Sequence, residues 1–293
     1  MVKDPNASAS LPAGDGQGRA SSALFRSGLP FARFGHGPRP LVVFQGLTPE
    51  NRADKTTAML YRFLGKRYTV YAVNRRPGLP PGYTLGDMAD DYARMVREEF
   101  GGPVDVIGVS TGGSIALHFA ADHPELVRRL VIHSAAHTLN NEAKRVQLEY
   151  ARLAGLGQWR AANSVLVGMM VPRTGWISRV RRPLVWAMAW VMSLKTPANA
   201  SDLRVTVDAE DKLAFRGRLH EICVPTLVAG GTEDPFYSAA LFRETAAGIP
   251  NARLALYDGK GHAMLGKDFQ REVLNFLSED GILRPTGTAS QTP

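Results

Sequence analysis

The sequence predicts an α/β fold: a mostly parallel sheet with helices on both faces, carrying an inserted helical cap late in the chain. Three observations carry this. Short β-branched apolar runs alternate with longer stretches of helical periodicity. A glycine-rich turn, Gly108-Val109-Ser110-Thr111-Gly112-Gly113, stands between one such run and a helical stretch. The alternation stops after Ala136 and resumes near Val224.

In chain order, residues 1–21 are rich in Ala, Ser, Gly and Asp and poor in large apolar residues, which predicts a disordered tail. Ser22–Arg26 and Pro30–Phe34 flank a Ser-Gly-Leu turn and predict a hairpin. Buried strands are expected at Leu41–Gln45, Thr69–Val73, Val104–Val109, Leu130–His133, Thr226–Ala229 and Arg253–Tyr257. Between Thr84 and Phe100, Leu85, Met88, Tyr92 and Met95 recur at helical spacing, and Thr84 with Asp87 three residues on marks a helix start. A helix is expected over Ser114–Ala121 behind the glycine-rich turn. Residues 137–220 lack a strand pattern and hold all four tryptophans, Trp159, Trp176, Trp186 and Trp190. The predicted organisation is therefore a core of residues 22–136 and 221–284, a helical cap of residues 137–220, and a second disordered tail over 285–293.

Composition narrows the function classes. The chain has 293 residues, 44% hydrophobic and 21% charged, enough for a sizeable core without staples. Its one cysteine, Cys223, excludes an intrachain disulfide and is expected to be a buried, inert thiol. The N-terminus has no apolar run of a signal peptide, and Leu184 to Leu194 is shorter than the ~20 residues that span a bilayer, so a soluble, cytoplasmic protein is expected. The net charge of +8 reads as a solvated basic surface, with an acidic substrate, an anionic membrane surface or nucleic acid as sharper readings. The basic-aromatic layout of a nucleic-acid module is absent, and no nucleic-acid partner is expected.

The turn at Ser110 carries the chemistry. Gly108, Ser110 and Gly112 form G-x-S-x-G between a strand and a helix. A serine hydroxyl is a weak nucleophile and must be presented on a sharp turn, whose crowding demands small residues two positions to either side. The helix N-terminus then turns its amides toward the reacting oxygen. A phosphate-binding turn is the competing reading, but neither G-x-G-x-x-G nor G-K-[ST] is present.

With this turn the chain resembles the α/β-hydrolase family, in particular its capped members of carboxylesterase or lipase type, over roughly residues 22–136 and 221–279. The hairpin, Gln45-Gly46, the Asn74-Arg75-Arg76-Pro77-Gly78 loop, Ser110 and a late Asp and His follow the family's order. Two departures stand out: Gln45-Gly46 where the family usually has His-Gly, and Asn74-Arg75-Arg76-Pro77 where it commonly has Asp-x-Arg-Gly. A serine nucleophile argues against the family's epoxide hydrolases and haloalkane dehalogenases, which use a carboxylate.

The resemblance implies the rest of the site. Among seven histidines, His262 in Asp258-Gly259-Lys260-Gly261-His262 is expected as the general base, delivered by a tight loop past the last strand. Asp234, after the strand Thr226–Ala229, is expected as the acid; Glu233 is its adjacent rival and Asp258 lies too near the histidine loop. Some members place the acid one strand earlier, where this chain reads His133-Ser134-Ala135-Ala136-His137, without a carboxylate. Expected oxyanion donors are the backbone N–H groups of Thr111 and Leu47. Trp176–Leu194 is expected to form a buried cap helix behind a solvated basic turn; in a second reading Trp186, Met188 and Trp190 line an apolar lid over an acyl pocket, and in a third the arginines face anionic lipid at a membrane surface.

The expected activity is hydrolysis of an ester with a sizeable apolar part through an acyl-enzyme. A lactonase, thioesterase, carbon–carbon bond hydrolase or cofactor-free perhydrolase would use the same three residues. A ligand-binding protein that kept the fold without turnover is the alternative from another class. No metal or organic cofactor is expected: His133 and His137 stand four residues apart, but no carboxylate or cysteine cluster accompanies them.

Overall fold

The structure, a computed structural model, describes residues 20–171, 177–262 and 264–279. A hairpin of β1 (Ser21–Leu24) and β2 (Pro30–Phe34) opens the chain, followed by β3 (Arg39–Phe44), α1 (Lys55–Leu60) and β4 (Tyr68–Val73). Then come α2 (Leu85–Phe100), β5 (Val104–Val109), α3 (Thr111–Asp122) and β6 (Val127–His133). Among the described residues four helices then follow with no strand between them: α4 (Asn141–Gly155), α5 (Trp159–Met170), α6 (Ile177–Met192) and α7 (Ser201–Asp211). The chain returns through β7 (Thr226–Gly231), α8 (Ala239–Gly248), β8 (Ala252–Tyr257) and α9 (Lys267–Ser278).

The eight strands form one sheet in the order β1-β2-β4-β3-β5-β6-β7-β8. β1 and β2 pair antiparallel, as do β2 and β4, and every other neighbour pair is parallel. The mostly parallel sheet read from the sequence is what the chain builds. Alternate residues of each strand face opposite layers. Val42 and Phe44 of β3, and Leu130 and Ile132 of β6, join Met88, Tyr92 and Phe119 on the side of α2 and α3. Leu41, Val43, Ile107 and Val131 join Tyr61, Phe269 and Phe276 on the side of α1 and α9. Burial on both faces explains why these strands read as continuous apolar runs.

α2 begins where the sequence places it. The Thr84 hydroxyl accepts from the Asp87 amide while the Asp87 carboxylate accepts from the Thr84 amide, a reciprocal cap that satisfies two orphan donors. Other expectations need correction. The helix behind Ser110 starts at Thr111, not Ser114, because Gly112 and Gly113 join it. Cys223 is exposed, not buried: the segment before β7 runs along the surface, and the apolar neighbours Ile222 and Val224 take the inward places. Of the two expected tails, residues 1–19 and 285–293 lie outside the described residues, while Ser21 already belongs to β1. Trp176 also lies outside them.

The helices between β6 and β7 have an apolar cluster of their own, built from Tyr150, Leu153, Trp159, Leu203 and Val207. Leu47, from the loop after β3, packs against it. Among the described residues no helix is long and apolar enough to cross a membrane.

The capping box yields a test. Thr84→Ala should cost about 1 kcal/mol, read as a lower urea midpoint at unchanged slope. An unchanged midpoint would mean that packing of Leu85, Met88 and Tyr92 alone sets where α2 begins.

Candidate active site

The sharp turn at Ser110 arises from close packing. A Cβ on Gly112 would stand 2.1 Å from the Phe44 carbonyl oxygen, and one on Gly108 would stand 2.7 Å from the Gly113 Cα. Only glycine lets α3 press this closely onto β3 and β5. Between them Ser110 takes φ 52°, a left-handed conformation that costs a non-glycine residue about 1–3 kcal/mol. Its amide is tied to the His133 carbonyl at the end of β6, at 3.0 Å. The side chain is thereby lifted to the start of α3, partly exposed.

Two loops at the same edge of the sheet bring in the partners. After β7, Asp234 is buried; its Oδ1 accepts from the amides of Phe236 and Tyr237 at 2.8 and 3.2 Å. After β8, the loop turns through Gly259 at φ 64°, and Gly231 leaves room for it, since a Cβ there would meet the Lys260 carbonyl oxygen at 2.0 Å. The loop delivers His262, whose Nδ1 lies 2.8 Å from Asp234 Oδ2 and whose Nε2 lies 3.0 Å from Ser110 Oγ. The ring stands against Phe236, with centroids 4.6 Å apart, and the Ser134 hydroxyl donates to the His262 carbonyl at 2.9 Å. Ser134 is the other non-glycine residue with positive φ among the described residues.

The structure thus brings Ser110, His262 and Asp234 into one hydrogen-bonded line. The rivals are elsewhere: Glu233 is exposed, and the Asp258 carboxylate accepts from the Thr232 hydroxyl. Hydrogen-bonded this way, the imidazole donates through Nδ1–H to Asp234 and presents an unprotonated Nε2 to the serine hydroxyl. The arrangement can take a proton from Ser110 and return it to a leaving group.

Two buried charges shape the surroundings: Arg75 lies in the loop that the sequence pointed to, without a role assigned to it there, and Glu210 was not singled out. Arg75 is 1% exposed. Its Nη1 donates to the carbonyls of Gln45 and Gly46, its Nη2 to Gly46 and the Thr48 hydroxyl, and its Nε to Asn51 Oδ1, at 3.0 to 3.3 Å. Burial lowers its pKa from the usual arginine value, and the nearby Tyr92, Glu210 and Asp202 oppose that. The planar trans peptide couples its two ends. With the Gly46 oxygen drawn to the guanidinium, the Leu47 N–H is held pointing away from Arg75. Asn74 fastens the same loop: its Nδ2 donates to the carbonyls of Glu50 and Arg52 and to the Thr48 hydroxyl. An aspartate there would only accept, which gives the Asn74 departure a physical reason. Gln45 is fastened to β4 through Ala72 and does not reach the triad.

Glu210 of α7 is the second charge. It is fully buried and accepts from the hydroxyls of Thr111, Ser114 and Tyr237 at 2.7, 2.8 and 3.3 Å. Burial raises its pKa, and these hydroxyls together with Arg75 oppose the rise. Through Thr111 it secures the first turn of α3, whose leading amide follows Ser110. A spacing signal could not have found Glu210, because it lies 99 residues beyond Thr111.

The remaining expected residues make no hydrogen bond or ring contact with Ser110, His262 or Asp234 among the described residues. The expected buried cap helix is not found at this segment: Trp186, Met188 and Trp190 are exposed on α6, which packs on α5 with Ala189 buried, and the Trp186 ring lies beneath the Arg160 guanidinium of α5. His137 bonds to Thr245. A cavity of about 730 Å³ between α2, α3 and α7, lined by Tyr83, His118 and Phe215 among others, includes no triad residue.

His133 is fully buried behind the triad. Its Nε2 lies 2.9 Å from the Met264 carbonyl and its Nδ1 2.6 Å from the Tyr61 hydroxyl. A carbonyl can only accept, so Nε2 carries the hydrogen and Tyr61 donates to Nδ1. Burial, and to a lesser degree His262, push the His133 pKa down to about 3. Between that value and the unfolded value of about 6.5 the unfolded chain binds the extra proton, so stability falls as pH falls through this window. From pH 7 to pH 5 this amounts to about 2 kcal/mol. Burial raises Asp105 to about 6, which acts in the opposite direction; the effect is therefore read against a variant. His133→Gln, which can keep both hydrogen bonds, should lose less stability than wild type between pH 7 and 5 by urea unfolding. Parallel profiles would mean that His133 titrates normally.

The chain is similar to known proteins over most of its length. Over 220 residues the chain is 27% identical to a protein of Yersinia enterocolitica named as the carbamate hydrolase RutD, covering 73% of this chain and 77% of that one. The enol-lactonase of Burkholderia xenovorans LB400 superposes with a TM-score of 0.71 at 20% identity, covering 88% of this chain and all of that one. MGS-M2, an alpha/beta hydrolase enzyme from a Medee basin deep-sea metagenome library, does so with a TM-score of 0.71 at 17% identity, over 88% and 97% of the two chains. These two structures share the fold. Residues 35–274, most of the chain, match the model of the alpha/beta hydrolase family, and the chain belongs to that family of hydrolases.

Proposed function

We propose that this protein hydrolyses carboxylic esters with an apolar portion through an acyl-enzyme on Ser110. The observation that carries the reading is the line of 3.0 and 2.8 Å contacts from Ser110 Oγ through His262 to the buried Asp234. The serine oxygen attacks the ester carbonyl as its proton passes to His262 Nε2. The negative oxygen formed is received by the amides of Leu47 and Thr111, held by Arg75 and Glu210 respectively. As the tetrahedral adduct collapses, its bond to the alkoxy oxygen breaks and Nε2 returns the proton to the departing alcohol. Water repeats the sequence on the acyl-enzyme: Nε2 takes its proton, the acid leaves, and the proton returns to Ser110. Asp234 orients the imidazole and stabilises its charged form throughout.

An apolar substrate portion is supported by Leu47, which packs against the cluster around Tyr150 and Leu203. In this reading α4–α7 form a cap whose apolar interior adjoins the oxyanion corner. A second reading, carbamate hydrolysis, is favoured by the name of the Yersinia relative. The same attack on a carbamate carbonyl would give a carbamoyl-enzyme.

A fluorophosphonate probe tests the nucleophile. Wild type should gain the mass of one phosphonyl group on Ser110, and Ser110→Ala should gain none. A folded wild type that stays unlabelled overturns the enzyme reading in favour of a binding protein. p-Nitrophenyl esters of rising acyl length, alongside a matched carbamate, separate the substrate readings. Fastest turnover of the acetyl ester argues against the apolar portion, and faster turnover of the carbamate favours the second reading.

The buried guanidinium gives a further expectation. Arg75→Met should lower kcat for the best ester about 10–100-fold with a smaller change in KM, since it loosens a donor used in the transition state. Arg75→Lys should not restore it, because a single ammonium cannot bridge the carbonyls as the planar fork does. Wild-type kcat in a folded Met variant would remove Arg75 from oxyanion positioning.

A further inference from the structure

α6 is the helix that the fold leaves outside. It packs on α5, and Ala189 is the buried side chain among its described residues. Arg181 turns back to the end of α5, where it donates to the carbonyls of Gly168 and Val171. The rest of the helix and the turn after it project outward. Leu184, Trp186, Met188, Trp190, Val191 and Leu194 are each 37–61% exposed. Large apolar side chains exposed in such number on one helix and the turn after it are unusual on a monomeric protein and mark an interaction site.

Charge identifies what covers it. Between Glu149 and Asp202 the sequence has no acidic residue and seven arginines and lysines, so nearly the whole net charge of +8 lies in this one stretch. Arg179, Arg182 and Lys195 flank the apolar side chains, exposed, and none is in the ion pairs of the described residues, which around this stretch join Arg152 to Glu149 and Arg204 to Asp208. Arg160 lies over the Trp186 ring, 4.6 Å from its centroid. A second copy of the chain would set cations against cations across a two-fold interface. Tryptophans beside arginines on an outward helix instead suit the boundary between lipid headgroups and acyl chains.

We propose that α6 docks in the surface of an anionic lipid membrane. Trp186 and Trp190 lie at headgroup level, the aliphatic side chains reach the acyl boundary, and Arg179, Arg182 and Lys195 meet lipid phosphates. The contact would bring the protein to lipid without crossing it. It stands apart from the hydrolase reading, because vesicle binding is measured without turnover.

The test uses the full chain and phosphatidylcholine vesicles, with or without about 30 mol% phosphatidylserine, in co-sedimentation at about 50 and about 500 mM NaCl. Binding to anionic vesicles at low salt should exceed binding to neutral vesicles, or binding at high salt, by at least about tenfold. Each cation near the surface contributes roughly fivefold, so Arg179→Gln/Arg182→Gln should lose about 25-fold on anionic vesicles. Trp186→Ser/Trp190→Ser should weaken binding to both kinds by about tenfold or more. Circular dichroism and the Tm confirm that the variants fold. No binding of wild type to anionic vesicles at low salt overturns the proposal, and so does equal binding by the variants. A dimer in sedimentation equilibrium that the tryptophan variant dissociates, without vesicle binding, makes the face a contact between copies and overturns it as well.

Discussion

The close approach of α3 to β3 and β5 is the constraint on which the site depends. Gly108 and Gly112 have no side chain to hold the helix off, so its first turn comes down onto the Phe44 carbonyl. The chain between them must then turn so sharply that Ser110 accepts a left-handed φ. That strain is supported by the surrounding packing and by the tie from the Ser110 amide to β6. Its result is geometric: an oxygen held in the open at the start of a helix, on the edge of the sheet where the loops of Asp234 and His262 also arrive.

Two buried charges stabilise what the close packing creates. Removing a charge from water is costly unless it is well hydrogen-bonded. Arg75 meets this requirement mainly with backbone carbonyls of the loop after β3, and Glu210 with three hydroxyls at the elbow and beyond. Each therefore secures one flank of Ser110. Glu210 also ties α7 to the core, so the helical segment between β6 and β7 shares a buried polar anchor with the turn that carries the serine. The apolar contact of Leu47 with that segment works in the same sense.

α6 belongs to the same segment but obeys different physics. The other helices of the segment gather Tyr150, Trp159 and Leu203 into a buried apolar cluster, whereas the large apolar side chains of α6 remain exposed beside Arg179, Arg182 and Lys195. A helix with little of its surface packed contributes little to folding. Its composition is better explained by an environment outside the chain than by the core beneath it.

Much of this protein was legible in its sequence. Apolar runs bounded by turns located the strands, because a parallel sheet buried on both faces leaves them no polar alternative. G-x-S-x-G located the elbow, because steric crowding at that turn admits few residue types. The family's order then singled out His262 and Asp234. The tertiary structure decided whatever depends on distance through space. It buried Asp234 against the His262 ring and left Glu233 exposed, set Arg75 against the Gly46 carbonyl, and placed Glu210 behind Thr111. It also turned Cys223 and the α6 tryptophans outward. Spacing along a chain encodes local geometry, whereas burial and long-range partners arise only when segments far apart in sequence compete for the same interior.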